Sequence, residues 1–167
     1  DRGLPTDVDL QGYSAYIVDS GDYALEDATI VPLMGRLGPA RVMWIGSQIL
    51  SLPDQEMSRE PLTDLRVADA GHPLAAGFAE DEIITLGPSE SGALATVIST
   101  EDFAEETGTP FVRGPESVEN GAPVVVSYAD VADPDYRTLF AAFAFYRLPK
   151  EAQPLFAQNA IGWLMEE

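Results

Sequence analysis

In "RVMWIGSQIL" (41–50) an apolar run breaks into Gly46-Ser47-Gln48, the pattern of a strand that ends in a tight turn carrying a hydroxyl. A serine there becomes a nucleophile only if a base can take its proton. The one histidine of the chain, His72 in "AGHPLAAGF" (70–78), is the only imidazole for that task. Together they define one reading, a hydrolase using Ser47 and His72 in a strand-end crevice. Against it, Ile45-Gly46-Ser47-Gln48-Ile49 does not form the full G-x-S-x-G elbow. The favoured reading is a strand end whose small residues permit a close turn. Pro73 biases His72 to an extended backbone, which suits a structural hydrogen-bonding role in a loop.

Carboxylates are too abundant to single out an acid–base pair by type, with 28 Asp and Glu in the chain. Asp19 is the best individual candidate, because it ends a strand beside Ser20 and Gly21; a carboxylate there also caps turns, and capping is favoured. Asp130, Asp133 and Asp135 crowd one turn and could hold Ca²⁺. They lack the spacing and glycine of a dedicated calcium loop, which favours a solvated turn. Phe140, Phe143, Phe145 and Tyr146 raise the alternative of a carbohydrate-binding module. Their alternation puts Phe143 and Phe145 on one strand face and Phe140 and Tyr146 on the other, which favours a core buried on both sides. There is no cysteine, hence no disulfide, thiolate metal site or cysteine nucleophile. No phosphate-cradling glycine motif and no His/Glu metal cluster is present. The expectation is no catalytic residue, no metal and no cofactor, with any binding residues unassigned.

The bulk properties narrow the partners. At 167 residues with 46% apolar content, the chain has the size and core of one domain, 1–167. A net charge of −19, with Lys150 the only lysine, repels nucleic acid and anionic membrane surfaces. Nothing approaches the ~20 consecutive apolar residues of a membrane helix, so no direct membrane insertion is expected. The acidic surface suits a salty or extracellular setting, or a GC-rich genome, and composition does not separate these.

Elements to position these residues follow from the pattern. "SAYIVDS" (14–20) reads as a buried strand, 25–37 as a helix with Ala28, Val31, Leu33, Met34 and Leu37 on one face, and "ARVMWIGSQ" (40–48) as a second strand. Strand, helix and strand imply a parallel pair. The polar segment 52–65, with two prolines, reads as a surface excursion. Further strands are expected at 82–87, 93–100, 110–114, 122–131 and 137–148. Asn120-Gly121 signals a hairpin and Asp133-Pro134-Asp135 a turn. A final amphipathic helix carries Leu155, Phe156, Asn159, Ala160, Trp163 and Leu164 on one side, with Pro154 in its first turn. The prediction is an α/β, three-layer, flavodoxin-like domain whose mostly parallel sheet gains antiparallel strands in its C-terminal half.

The succession "LQGYSAYIVDSGDY", a helix, "GPARVMWIGSQI", "GHPLAAGF", strands, "FAFYRL" and "NAIGWL" resembles the class I glutamine amidotransferase-like superfamily over nearly the whole chain. More narrowly it is similar to non-catalytic members that occur as modules of large extracellular or envelope proteins and beside trehalose-utilisation-type domains. In that superfamily a first strand and helix normally precede the segment matching "LQGYSAYIVDS". Here about a dozen residues do, so the expectation is a domain short of its first strand, a neighbouring part supplying it, or a variant that dispenses with it. A sheet without that strand exposes an edge that another chain or domain would cover.

Amidotransferases of this fold use a cysteine at the strand-to-helix elbow, with a histidine and a glutamate two residues further on completing the triad near the C-terminus. Matching Gly46 to the second elbow glycine puts Trp44 at the nucleophile position, and a looser match puts Ser47 there. Neither is a thiol, and "FAAFAFYRLPKE" has no histidine. The resemblance therefore implies a non-catalytic scaffold or interaction module of a larger, secreted or cell-surface protein, partnered by that protein's other domains or chains.

Overall fold

The β-rich runs at the start of the chain pair as their short connections require. The computed structural model describes residues 10, 12–23, 27–37, 41–48, 62–90, 108–117, 120–130, 132–133 and 135–166. Strand β1 is Tyr16–Asp19, helix α1 Asp27–Leu37 and strand β2 Arg41–Ile45. β1 and β2 are parallel, with Tyr16 opposite Val42 and Asp19 opposite Ile45. Leu33 and Leu37 of α1 are buried, as the expected apolar face requires. The side chains of Ala28, Val31 and Met34 lie outside those described.

Five more strands complete one sheet: β3 (Asp64–Val67), β4 (Ile83–Thr85), β5 (Gly108–Arg113), β6 (Pro123–Ala129) and β7 (Arg137–Ala141). Their order is β1-β2-β7-β6-β5-β3-β4. The β1–β2 and β2–β7 pairings are parallel, and the other four are antiparallel. Following the pairings across the sheet, five strands point the same way, with β3 and β6 reversed. The ends of β1, β2 and β7 that carry Asp19, Ile45 and Ala141 therefore lie on one edge, where ligands sit in open α/β sheets. Helix α2 (Ala152–Leu164) packs on β2 and β7. It buries Phe156, Ala160, Trp163 and Leu164, and Phe156 meets the rings of Phe111 and Phe143 at 5.8 and 5.6 Å.

Three expectations change. The end of the segment read as a polar excursion enters the core as strand β3, which begins at Asp64 and runs on to Val67: Leu62 and Leu65 are fully buried, and β3 pairs with both β4 and β5. The strand read over 137–148 ends at Ala141. Its partner β6 begins at Pro123, so the ladder runs out, and Phe145–Arg147 turns into a short 3-10 segment instead. The alternation assigned to Phe145 and Tyr146 is thereby lost. The strand expected at 93–100, and 52–61 of the polar segment, lie outside the described residues. The Asn120-Gly121 turn stands as read, with Gly121 at φ +84° and its N–H donating to Arg113 O at 3.0 Å.

Candidate functional site at the strand ends

Ser47 sits where β1, β2 and β7 end together. Ser20 N–H donates to Ile45 O (2.9 Å), and Gly46 N–H donates to Ala141 O (3.0 Å). The loop after β1 is thereby laid directly over the turn after β2. A Cβ on Gly46 would meet Ser20 Oγ at 2.0 Å and Gly21 O at 3.0 Å, at a φ of +154° that side chains rarely adopt. Only glycine fits, because the two loops touch backbone to backbone.

This close approach engages both polar groups of Ser47. Its N–H donates to Gly21 O at 2.8 Å, and its hydroxyl donates to Asp22 Oδ1 at 2.7 Å. The residue has no exposed surface. Asp22 is itself only 5% exposed and gathers donors from distant parts of the chain. Its Oδ2 accepts from Ser89 Oγ at 2.6 Å, Glu90 N–H at 3.1 Å and Tyr146 Oη at 2.5 Å. One carboxylate thus ties together the loops after β1 and β2, the segment after β4 and the 3-10 turn after β7. Hydrogen bonds to an ionised acceptor in a low-dielectric site are the strong kind.

Neighbouring groups respond to this charge. Loss of hydration and the hydrogen bond to Asp22 hold the Tyr146 hydroxyl above the usual phenol range. Arg147, 4% exposed, donates from Nε to Gly87 O at 2.9 Å and from Nη2 to Leu62 O. Burial pushes its guanidinium below the usual value, and the charge of Asp22 opposes that shift.

The chemistry open to Ser47 is narrow. Its proton points at a carboxylate rather than an imidazole, and its N–H, which an oxyanion would need, already serves Gly21. Full burial leaves an incoming carbonyl no approach. The hydrolase pairing of Ser47 with His72 is therefore corrected. Ser47 follows the end of β2 and His72 follows the end of β3, which runs the other way, so the two lie off opposite ends of the sheet.

His72 Nδ1 accepts from Leu74 N–H at 3.1 Å and caps the 3-10 turn Pro73–Ala75. The neutral ring then carries its proton on Nε2, 3.0 Å from Ser127 Oγ, which in turn donates to Gly108 O at 3.4 Å. Burial lowers the pKa of His72 below the 6.5 of a free imidazole, against the pull of Asp69 and Glu166. The unfolded chain accordingly takes up the proton first. The stability conferred by the neutral ring is present above pH 6.5 and is lost as pH falls from there towards the native value. Between pH 7.5 and 5.5 the melting temperature of the wild type is expected to fall further than that of His72→Asn, whose side-chain oxygen can still accept Leu74 N–H. Equal falls would refute this role.

The remaining candidates are structural. Asp19 Oδ1 accepts Gly21 N–H at 2.8 Å, capping its turn. Asp130 accepts Ala132 N–H, Asp133 accepts Asp135 N–H, and Asp135 pairs with Arg41 at 2.9 Å. Among the described residues no group of three or more His, Cys, Asp or Glu is placed to hold a metal. Trp44, Trp163, Phe140 and Phe143 are buried, so they form core and not a sugar platform. The residue that organises the site, Asp22, follows β1 after Gly21 and belongs to no motif. Nothing local marks it, since Ser89 and Tyr146 lie 67 and 124 positions away.

No protein-family model matches the sequence, and no curated protein matches it. The fold is shared with solved structures. One is a protein from Thermoplasma acidophilum described as a GMP synthase component, with a TM-score of 0.55 and 12% identity over 95% of this chain and 76% of that one. Another is a ThuA-like protein from Bacteroides uniformis, with a TM-score of 0.55 and 12% identity over 96% of this chain and 73% of that one. Both are glutamine amidotransferase-like folds. At this identity the likeness concerns the fold alone, which is the flavodoxin-like, amidotransferase-like α/β architecture.

Proposed function

We propose that this domain is a non-catalytic, amidotransferase-like scaffold that serves as an interaction module of a larger protein. The observation that carries the reading is Ser47, fully buried with its N–H on Gly21 O and its hydroxyl on Asp22. The position where such folds expose a nucleophile is here occupied by a structural hydrogen-bonding hub. Trp44, the other match to the nucleophile position, is buried in β2. The absence of cysteine, and of histidine after β7, removes the thiol and the base of the family mechanism.

The same reading gives the sheet helices on both faces. Leu33 and Leu37 of α1 share a cavity with Tyr16 and Val18, while Ala157 of α2 shares one with Ile17, Met43 and Ile45. Ile17 and Asp19 line both cavities, and the support for helices on two faces is the alternation of Tyr16 and Val18 with Ile17 along β1. The partners in this reading are other domains or chains of the parent protein, and the acidic surface fits a secreted or cell-surface setting. The experiment is ammonia release from glutamine by the native chain, expected at the rate of buffer alone. Release above that rate would overturn the reading.

A further inference from the structure

We infer that the free side of β1 is a docking edge for an extended, basic segment of another polypeptide, which adds to the sheet as a strand beyond β1. This deepens the interaction-module reading and rests on it.

Among the described residues β1 pairs only with β2. Because Ser20 N–H donates to Ile45 O, the two-residue alternation directs the backbone of Val18 towards β2 and that of Ile17 and Asp19 away from it. The outward side is thus a row of backbone donors and acceptors. Natural edge strands are guarded by short length, charge, proline or a bulge. Tyr16–Asp19 is short and carries one charge, Asp19, but has no lysine, proline or bulge, and it leaves Ile17 56% exposed with Tyr13 68% exposed nearby.

Two cavities border this strand. One of about 460 Å³ is lined by Tyr16, Val18 and α1, one of about 190 Å³ by Met43 and Phe145, and Ile17 and Asp19 line both. An added strand projects alternate side chains to the two faces of the sheet, beside these cavities. Backbone pairing with alternate side-chain pockets is the recognition mode of strand addition.

Charge selects the occupant. A second copy would bring −19 against −19. A segment with apolar residues opposite Ile17 and lysine or arginine opposite Asp19 gives the favourable cross-strand pairs.

The probe is a fluorescein-labelled peptide, acetyl-Lys-Val-Lys-Val-Lys-Val-Lys-amide, titrated with the full chain at physiological salt and followed by anisotropy. Saturable binding is expected. It should weaken at least tenfold when every peptide N–H is methylated, and at least tenfold for the Ile17→Lys chain. The amides of Ile17 and Asp19 should slow in hydrogen exchange when the peptide binds. Three results would overturn the inference: no binding; equal binding of the methylated peptide, which means charge adsorption alone; or concentration-dependent self-association abolished by Ile17→Lys, which makes a second copy the occupant. Failure of the peptide to bind while glutamine stays intact removes this inference only. Glutamine turnover removes the reading beneath it.

Discussion

Replacing Asp22 with alanine is expected to destabilise the domain by about 4 kcal/mol, a fall of roughly 12 °C in melting temperature for a domain of this size. The carboxylate accepts from Ser47, Ser89, Tyr146 and the Glu90 N–H. Alanine leaves the fully buried Ser47 hydroxyl without its acceptor and removes the shared acceptor of Ser89, Tyr146 and Glu90 N–H, which unties the three segments they belong to. Asp22→Asn keeps the shape and one oxygen, but sets an amide N–H₂ against a donor. A loss of about 2 kcal/mol, half the alanine effect, is expected there. Thermal unfolding followed by circular dichroism checks both. If Asp22 were instead a catalytic group, Asp22→Asn would leave stability near wild type and change only turnover.

Gly46→Ala is expected to destabilise by about 3 kcal/mol or more, at the upper end of what overpacking does. The added Cβ would lie 2.0 Å from Ser20 Oγ and 3.0 Å from Gly21 O. The serine hydroxyl can swing aside, but the carbonyl belongs to the loop that Ser47 N–H holds in place. Relief therefore requires separating the β1 and β2 loops, which disturbs the Ser47–Asp22 bond as well. The control is Gly121→Ala, where nothing lies within 4 Å of the new Cβ and only the positive φ opposes it. Chemical denaturation should show the Gly46 variant losing clearly more than the Gly121 variant. Equal losses would mean that backbone conformation, and not contact between the loops, sets the requirement for glycine.

The elements that a reader of the sequence can locate are those whose signal is local. Tyr16–Asp19, Asp27–Leu37 and Arg41–Ile45 follow from an apolar run, a helical period and a second run, and Asn120-Gly121 marks its hairpin directly. Asp64–Val67 escapes because two apolar residues alternating with charges, after a polar stretch with two prolines, make too short a run to mark a strand. Its strand character comes from pairing on both sides, with β4 and β5. The opposite error arises at 137–148, where a continuous apolar run reads as strand. There the pairing stops with β6, and the burial of Ala142, Phe143 and Ala144 serves a crossover to α2 instead.

The site is half legible in the sequence. Gly46-Ser47 marks the strand end and the small residues of a close turn, and the turn-capping role of Asp19 follows from its neighbours. Asp22 is invisible because a buried acceptor is defined by its donors, and these arrive from three separate segments. Pro73 places His72 in a loop, yet its partner Ser127 lies 55 positions away on β6.

The central claim is that the strand-end turn is sealed and inert. Hydrolysis of p-nitrophenyl acetate by the native chain, set against Ser47→Ala at equal concentration, tests it most directly. The account predicts identical rates, because a hydroxyl with no exposed surface reaches no ester. Turnover that disappears in Ser47→Ala, while circular dichroism shows the fold intact, would make Ser47 a working nucleophile and contradict the account.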